Sequence, residues 1–148
     1  MAIVCSFFGH RDAGDHIHTA LAAEIERHIT EYHADTFYVG GYGQFDGMAD
    51  RILYDMKDRW PHISVYRILA YLPTGVDKNS AEKQHPTIYP EGLETVPRQF
   101  AITRRNRWIV EQSEYIIGYV CTSWGGAHEA LEYAKRKGKS VINLAERG

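Results

Sequence analysis

Short apolar runs rich in β-branched residues alternate with amphipathic helical stretches along this chain of 148 residues. That alternation constrains the fold more than any other feature. Residues 2–7 form an apolar run that ends at Gly9 and predicts a buried strand. Ile17, Leu21, Ile25 and Ile29 then recur every fourth residue among Glu24, Glu26 and Arg27, the spacing of a helix with one buried face and Asp15 as its N-cap. A second strand over 36–39 stops at Gly40 and Gly41. Met48, Ala49, Ile52, Leu53 and Met56 mark a second helix that ends before Pro61. A third strand is predicted over 63–72. A third helix runs from Pro97, a residue tolerated at a first helical position, to Gln112. A fourth strand over 115–120, a fourth helix over 127–137 with Gly138 as its C-terminal cap, and a fifth strand over 140–144 complete the series.

The connections are too long for hairpins, so the strands are expected to lie parallel with helices covering both faces. The predicted architecture is α/β: a Rossmann-like three-layer α/β/α sandwich, its mostly parallel sheet of five strands or slightly more, in one domain spanning 1–148. Lys and Arg number 17 against 19 Asp and Glu, for a net charge of −2 and a pI near 6.4. This balance disfavours a dedicated nucleic-acid binder. With 44% hydrophobic residues, disorder is disfavoured too. No apolar run reaches the ~18 residues of a membrane span. Residues 1–8 lack the basic start and the cleavage site of a signal peptide. Cys5 and Cys121 stand far apart in apolar contexts and read as reduced core thiols, and the expected location is cytoplasmic.

In an open parallel sheet, ligands bind beyond the carboxyl ends of the strands, near the point where strand order reverses. Four loops meet that condition: 8–15, 40–47, 73–97 and 121–127. The first carries Gly9, His10 and Arg11. The glycine admits close backbone approach and the arginine suits a phosphate, although a plain turn with exposed polar residues fits as well. The second carries Gly40, Gly41, Tyr42, Gly43 and Asp46, a glycine-rich turn before a helix and thus a candidate anion cradle. Asp46 reads as an N-cap or as an acceptor for sugar hydroxyls. It stands where a dinucleotide fingerprint would place its third glycine, and no P-loop lysine is present. The fourth loop sets Trp124, Gly125, Gly126 and Ala127 between a strand and a helix start.

The third helix holds an anomaly. Ala101, Ile102, Ile109 and Gln112 define its expected inward stripe, and Arg105 falls on that stripe with Asn106 beside it. A buried guanidinium needs a partner, which is either an anionic ligand or an internal carboxylate. Residues 73–97 hold four of the five prolines and are expected to act as a lid. The eight histidines form no metal signature, so no metal and no cofactor is expected. No nucleophile elbow is present. Lys135, Arg136, Lys137 and Lys139 read as a solvated helix end that complements the helix dipole.

The segments Phe8-Gly9-His10-Arg11, Tyr38 to Asp46, Tyr89 to Glu94, Arg104 to Trp108 and Gly125-Gly126-Ala127 together resemble a family of small proteins of unknown function in the SLOG superfamily. That superfamily groups DNA-processing protein A with the LOG proteins. The resemblance implies a Rossmann-like domain that binds a nucleotide or nucleotide-derived ligand through its glycine-rich loops and its Arg-Asn-Arg helix. It also implies a homo-oligomer. LOG proteins cleave the base–ribose bond of nucleoside monophosphates with an arginine on the third helix and a glutamate in P-G-G-x-G-T-x-x-E. Arg105 and Glu132 occupy those two positions here. Trp124, His128 and Glu129 replace the motif's proline, third glycine and threonine, which removes the enzyme's phosphate-cradling turn. The expected function is therefore binding of a nucleotide-like small molecule, with nucleotide N-glycosidase activity as the alternative. A second alternative is nucleic-acid binding of the kind the DNA-processing proteins suggest.

Overall fold

A computed structural model describes residues 2–41, 43–72 and 85–147. Its centre is a sheet of six strands: β1 (Val4–Gly9), β2 (Thr36–Val39), β3 (Ser64–Ile68), β4 (Thr87–Ile88), β5 (Tyr115–Tyr119) and β6 (Ser140–Asn143). They are ordered β4-β3-β2-β1-β5-β6, and every neighbouring pair is parallel. The chain steps outward from β1 through β2 and β3, then crosses back to place β5 on the other side of β1. Strand order therefore reverses between β1 and β5, and the loops leaving those two strands diverge.

Four helices cover the sheet: α1 (His18–Thr30), α2 (Gly43–Met56), α3 (Ala101–Gln112) and α4 (Gly126–Arg136). Alternation along β1 sends Cys5 and Phe7 to one face and Ser6 and Phe8 to the other. Cys5 and Phe7 join Leu21, Ile25, Phe45 and Leu53 in the core beneath α1 and α2. Phe8 joins Ile109, Val110, Ile116 and Leu131 beneath α3 and α4. Ser6 is fully buried on the second face. Its hydroxyl donates to Ser113 Oγ at 2.8 Å, which donates in turn to Ile109 O at 2.6 Å, so no polar atom of the pair is stranded.

Several expectations are corrected. Asp15 does not cap α1: it opens a short 3-10 turn, and Ile17 stands in the capping position with no side-chain cap. Asp46 lies inside α2, in its first turn, because the helix already starts at Gly43. There a carboxylate favours the positive helix end. The third strand stops at Ile68. The sixth strand, β4, has two residues and so carries no periodicity for a sequence to display. The buried residues of α3 are Ala101, Arg105, Asn106, Ile109 and Val110, while Ile102 and Gln112 are exposed. Residues 101, 105 and 109 recur at the helical period with 106 and 110 beside them. Ile102 and Gln112 fall within the same arc by spacing but are exposed because they stand in the first and last turns of α3. Of the expected lid, 73–84 lies outside the described residues. The remainder supplies β4 and a 3-10 turn at Leu93–Thr95.

Candidate functional site

The exits of β1, β2 and β5 build the site, and each is fixed by contacts that follow from local sequence. At the end of β1, Gly9 has no side chain, and a Cβ there would overlap the Phe45 ring. The glycine thus lets α2 pack against the strand end. The next residue, His10, accepts a hydrogen bond from the Cys121 N–H at Nε2, at 2.8 Å. A main-chain amide can only donate, so Nε2 carries no proton, and the neutral ring joins the β1 and β5 loops. The Gln44 N–H donates to Arg11 O at 2.8 Å. Gly43 lies so close that a Cβ on it would sit 2.8 Å from Arg11 Cα. The first and second loops are therefore packed on each other, with the Arg11 side chain exposed.

At the exit of β2, the missing side chain of Gly40 makes room for two charges. A Cβ there would lie 2.8 Å from Asp46 Oδ2 and 3.3 Å from both terminal nitrogens of Arg105. Arg105 is only 5% exposed. Its NH1 donates to Gly40 O at 3.1 Å and to Ile68 O at 3.4 Å, the exits of β2 and β3. Its Nε and NH2 donate to Asn106 Oδ1 at 3.2 and 2.8 Å. The guanidinium is thus a brace from α3 across two strand ends. Beside it, Arg67 lies against Gly41, where φ is +81°, and NH2 donates to Asp50 Oδ2 at 3.0 Å. The other oxygen of Asp50 bonds to the buried His85 ring at Nδ1. Burial alone would raise the Asp50 carboxyl. Hydrogen bonds and charge from His85 and Arg67 outweigh it and hold the group below its ordinary value.

The loop leaving β5 is pinned from β6. Asn143 Oδ1 accepts from Val120 N at 3.0 Å and Ala145 N at 3.1 Å, while its Nδ2 donates to Val120 O at 3.0 Å. Further along, the Thr122 hydroxyl donates to Trp124 O at 2.7 Å. Gly125 follows at φ +97° as the N-cap of α4, with no side-chain cap bond. The first amides of a helix have no partner inside it, and a Cβ on Gly125 or Gly126 would meet nothing within 4 Å. The start of α4 is open. Cys121 is exposed on this loop, contrary to its reading as a core thiol, because β5 ends at Tyr119 and the chain has left the sheet by Cys121. A hydrogen bond with Cys121 pushes the neighbouring Tyr119 phenol above its ordinary value.

Together these exits enclose a cleft of about 760 Å³. Gly9, His10, Arg11, Gly40, Asp46, Arg105, Asn106, Trp124, Gly125, Gly126 and Ala127 line it, so most sequence-predicted site residues come together. Gly41 and Gly43 shape the adjacent turn but are not in its wall, and Tyr42 lies outside the described residues. Sequence reasoning missed Asp12, Ile102, Cys121 and Thr122, which adjoin the motifs on both sides. Glu132 is not brought to this cleft. It lines a separate hollow of about 450 Å³ with His128, Lys135 and Asn143, its carboxylate 3.9 Å from Lys135 Nζ. Among the described residues, no three His, Cys, Asp or Glu side chains gather as metal ligands. No helix there is long and apolar enough to cross a membrane.

No protein-family model matches the chain, and no curated protein does. Solved structures do match. DNA processing protein A from Streptococcus pneumoniae aligns over 95% of this chain and 49% of its own, with a TM-score of 0.67 and 14% identity. DNA processing protein A from Helicobacter pylori, described for a single-stranded DNA binding mode, aligns over 94% and 63%, at 0.63 and 15%. The Moco carrier protein from Chlamydomonas reinhardtii aligns over 98% and 77%, at 0.55 and 13%. The chain spans about half to two thirds of the DNA processing proteins it matches. What it shares with all three is architecture: its parallel six-stranded sheet and four helices form a Rossmann-like α/β fold.

Proposed function

We propose that the cleft binds a nucleotide-like phosphorylated small molecule. The observation that carries this reading is the position of the cleft, at the divergence of β1 and β5, with the open start of α4 and the exposed Arg11 on its wall. Its volume of about 760 Å³ falls within the ~300–1,000 Å³ of small-molecule sites. In this reading the phosphate meets Arg11 and the first amides of α4, where a helix N-terminus favours negative charge. Arg105 acts differently: its donors go to Gly40 O, Ile68 O and Asn106 Oδ1, so it sets the cleft's shape. In this reading the Asp46 carboxylate, which lines the same cleft, also accepts from ribose hydroxyls. The likeness to a carrier protein and to a DNA-binding protein supports a binding role.

The test is a thermal-shift screen with AMP, ADP-ribose, NAD and cyclic dinucleotides. A true ligand at about 100 times its Kd stabilises by roughly 2.7 kcal/mol, which in a domain of this size raises Tm by about 5 °C or more. No shift with any of them counts against the reading. Cleavage of a nucleoside monophosphate would need Glu132, which the fold puts in the neighbouring hollow. Release of free base from AMP, abolished in Glu132→Ala, would favour hydrolysis over binding alone.

One observation favours a second reading, nucleic-acid binding. Residues 98–139 carry eight Lys and Arg against four Glu, although the chain as a whole is acidic. This excess lies on α3, α4 and their flanks, and one structural neighbour is described for single-stranded DNA binding. Affinity for a single-stranded oligonucleotide that falls steeply with salt would support this reading.

A further inference from the structure

Trp124 is 72% exposed, the most exposed large hydrophobic residue among those described. An indole left in water on a loose tip would need no explanation, but this loop is held. Asn143 makes three hydrogen bonds to main-chain atoms of Val120 and Ala145, His10 holds the Cys121 amide, and Thr122 holds the Trp124 carbonyl. The held main chain thus presents a large aromatic side chain on the wall of the cleft. Beside it on that wall are Ile102, 37% exposed at the first turn of α3, and Ala127. Arg105 and Asn106 also line the cleft from α3, both buried, and the β1 strand and its loop contribute Phe7, Phe8, His10, Arg11 and Asp12. The exposed side chains on the α3–α4 side, Trp124 and Ile102, are therefore apolar, while those of the β1 loop, Arg11 and Asp12, are charged.

Resting on the proposed function, we infer that the ligand's planar heteroaromatic ring stacks on Trp124 and that the site tolerates any base. Base-to-indole stacking needs only a π face, which every nucleobase has. Telling bases apart needs side-chain donors and acceptors aimed at the ring edge. On the α3–α4 side, the Thr122 hydroxyl donates to Trp124 O, and Asn106 Oδ1 accepts from Arg105 Nε and NH2. Gly125, Gly126, Ala127 and Ile102 have no polar side-chain atom. The cleft then selects for a ring joined to a phosphate, with larger purines held more tightly than pyrimidines and no wide gap between adenine and guanine.

Calorimetric titration of the whole protein with AMP, GMP, CMP, UMP and ribose 5-phosphate tests this, in wild type, Trp124→Ala and Trp124→Phe. The expected result is that AMP and GMP bind within about tenfold of each other and CMP and UMP more weakly. Trp124→Ala then weakens every nucleotide about 5- to 100-fold, leaves ribose 5-phosphate unchanged, and Trp124→Phe restores most of the loss. A preference above about 100-fold between AMP and GMP overturns the inference, as does a Trp124→Ala protein that binds nucleotides as well as wild type. Equal weakening of ribose 5-phosphate also overturns it, since that would mark general damage to the loop. If ribose 5-phosphate binds wild type as tightly as the nucleotides do, the stacking inference alone falls. If none of the five binds, this inference falls, and the proposed function falls with it only when the thermal-shift screen finds no ligand either.

Discussion

The two glycine-rich turns look alike in sequence and are used in opposite ways. At Gly40, Gly41 and Gly43, the space where side chains would stand is filled by Asp46, Arg105, Arg67 and Arg11. At Gly125 and Gly126 that space is empty. The first turn dispenses with side chains so that charged groups from α2, α3, β3 and the β1 loop can close on its backbone. The second keeps its backbone uncovered at a helix start, where an anion is favoured. A glycine pair after a strand therefore marks close approach, but only packing tells whether what approaches is the protein or a ligand.

Substitutions can break that comparison. Arg105→Ala is expected to have the largest effect, because it leaves Gly40 O, Ile68 O and Asn106 Oδ1 without their donor. Stranding buried acceptors costs about 1–3 kcal/mol each, together about 3–5 kcal/mol, readable as a drop in the denaturation midpoint. A loss below about 1 kcal/mol would show that the brace is dispensable. Gly43→Ala comes next. Its φ of +88° and the Arg11 backbone 2.8 Å from a Cβ together cost about 2–4 kcal/mol. Gly126→Ala should do the reverse: stability is unchanged or rises by up to about 1 kcal/mol, as for a glycine-to-alanine change in open helical geometry, while affinity for AMP falls. Loss of stability in Gly126→Ala with AMP binding intact would erase the distinction between the turns.

The smallest effect concerns pH. Asp50 is held below its ordinary carboxyl value in the folded protein, so it contributes stability above its unfolded value, near ~3.9, that is lost as pH falls through the folded value. Asp50→Asn should thus lower Tm at neutral pH, with the gap from wild type closing as the solution is taken below about pH 4. A gap that persists to pH 2 would show that Asp50 does not stabilise the Arg67 side of the first turn through its charge.

Much of this was legible because the physics behind it is local. A parallel sheet buries its strands on both faces, so β1 and β5 announce themselves as unbroken apolar runs. The inward position of Arg105 follows from its spacing of four residues from Ala101 and Ile109. Its partners do not, since Gly40 O and Ile68 O reach it only once β2 and β3 lie side by side. Cys121 read as a core thiol because apolar neighbours conceal the strand end two residues earlier, at Tyr119. Glu132 matched a motif by spacing along the chain, yet the turn of α4 carries it to the next hollow.

The grip of Asn143 on Val120 has a consequence in time. The loop that carries Trp124 and opens α4 is fixed by a side chain from β6, the strand that lies last in the chain. Domains made on the ribosome emerge from the N-terminus onward. The β1 and β2 exits can therefore be in place while the β5 exit is still untethered. On the proposed function, binding competence would then arrive in one late step, when β6, the last of the six described strands in chain order, docks.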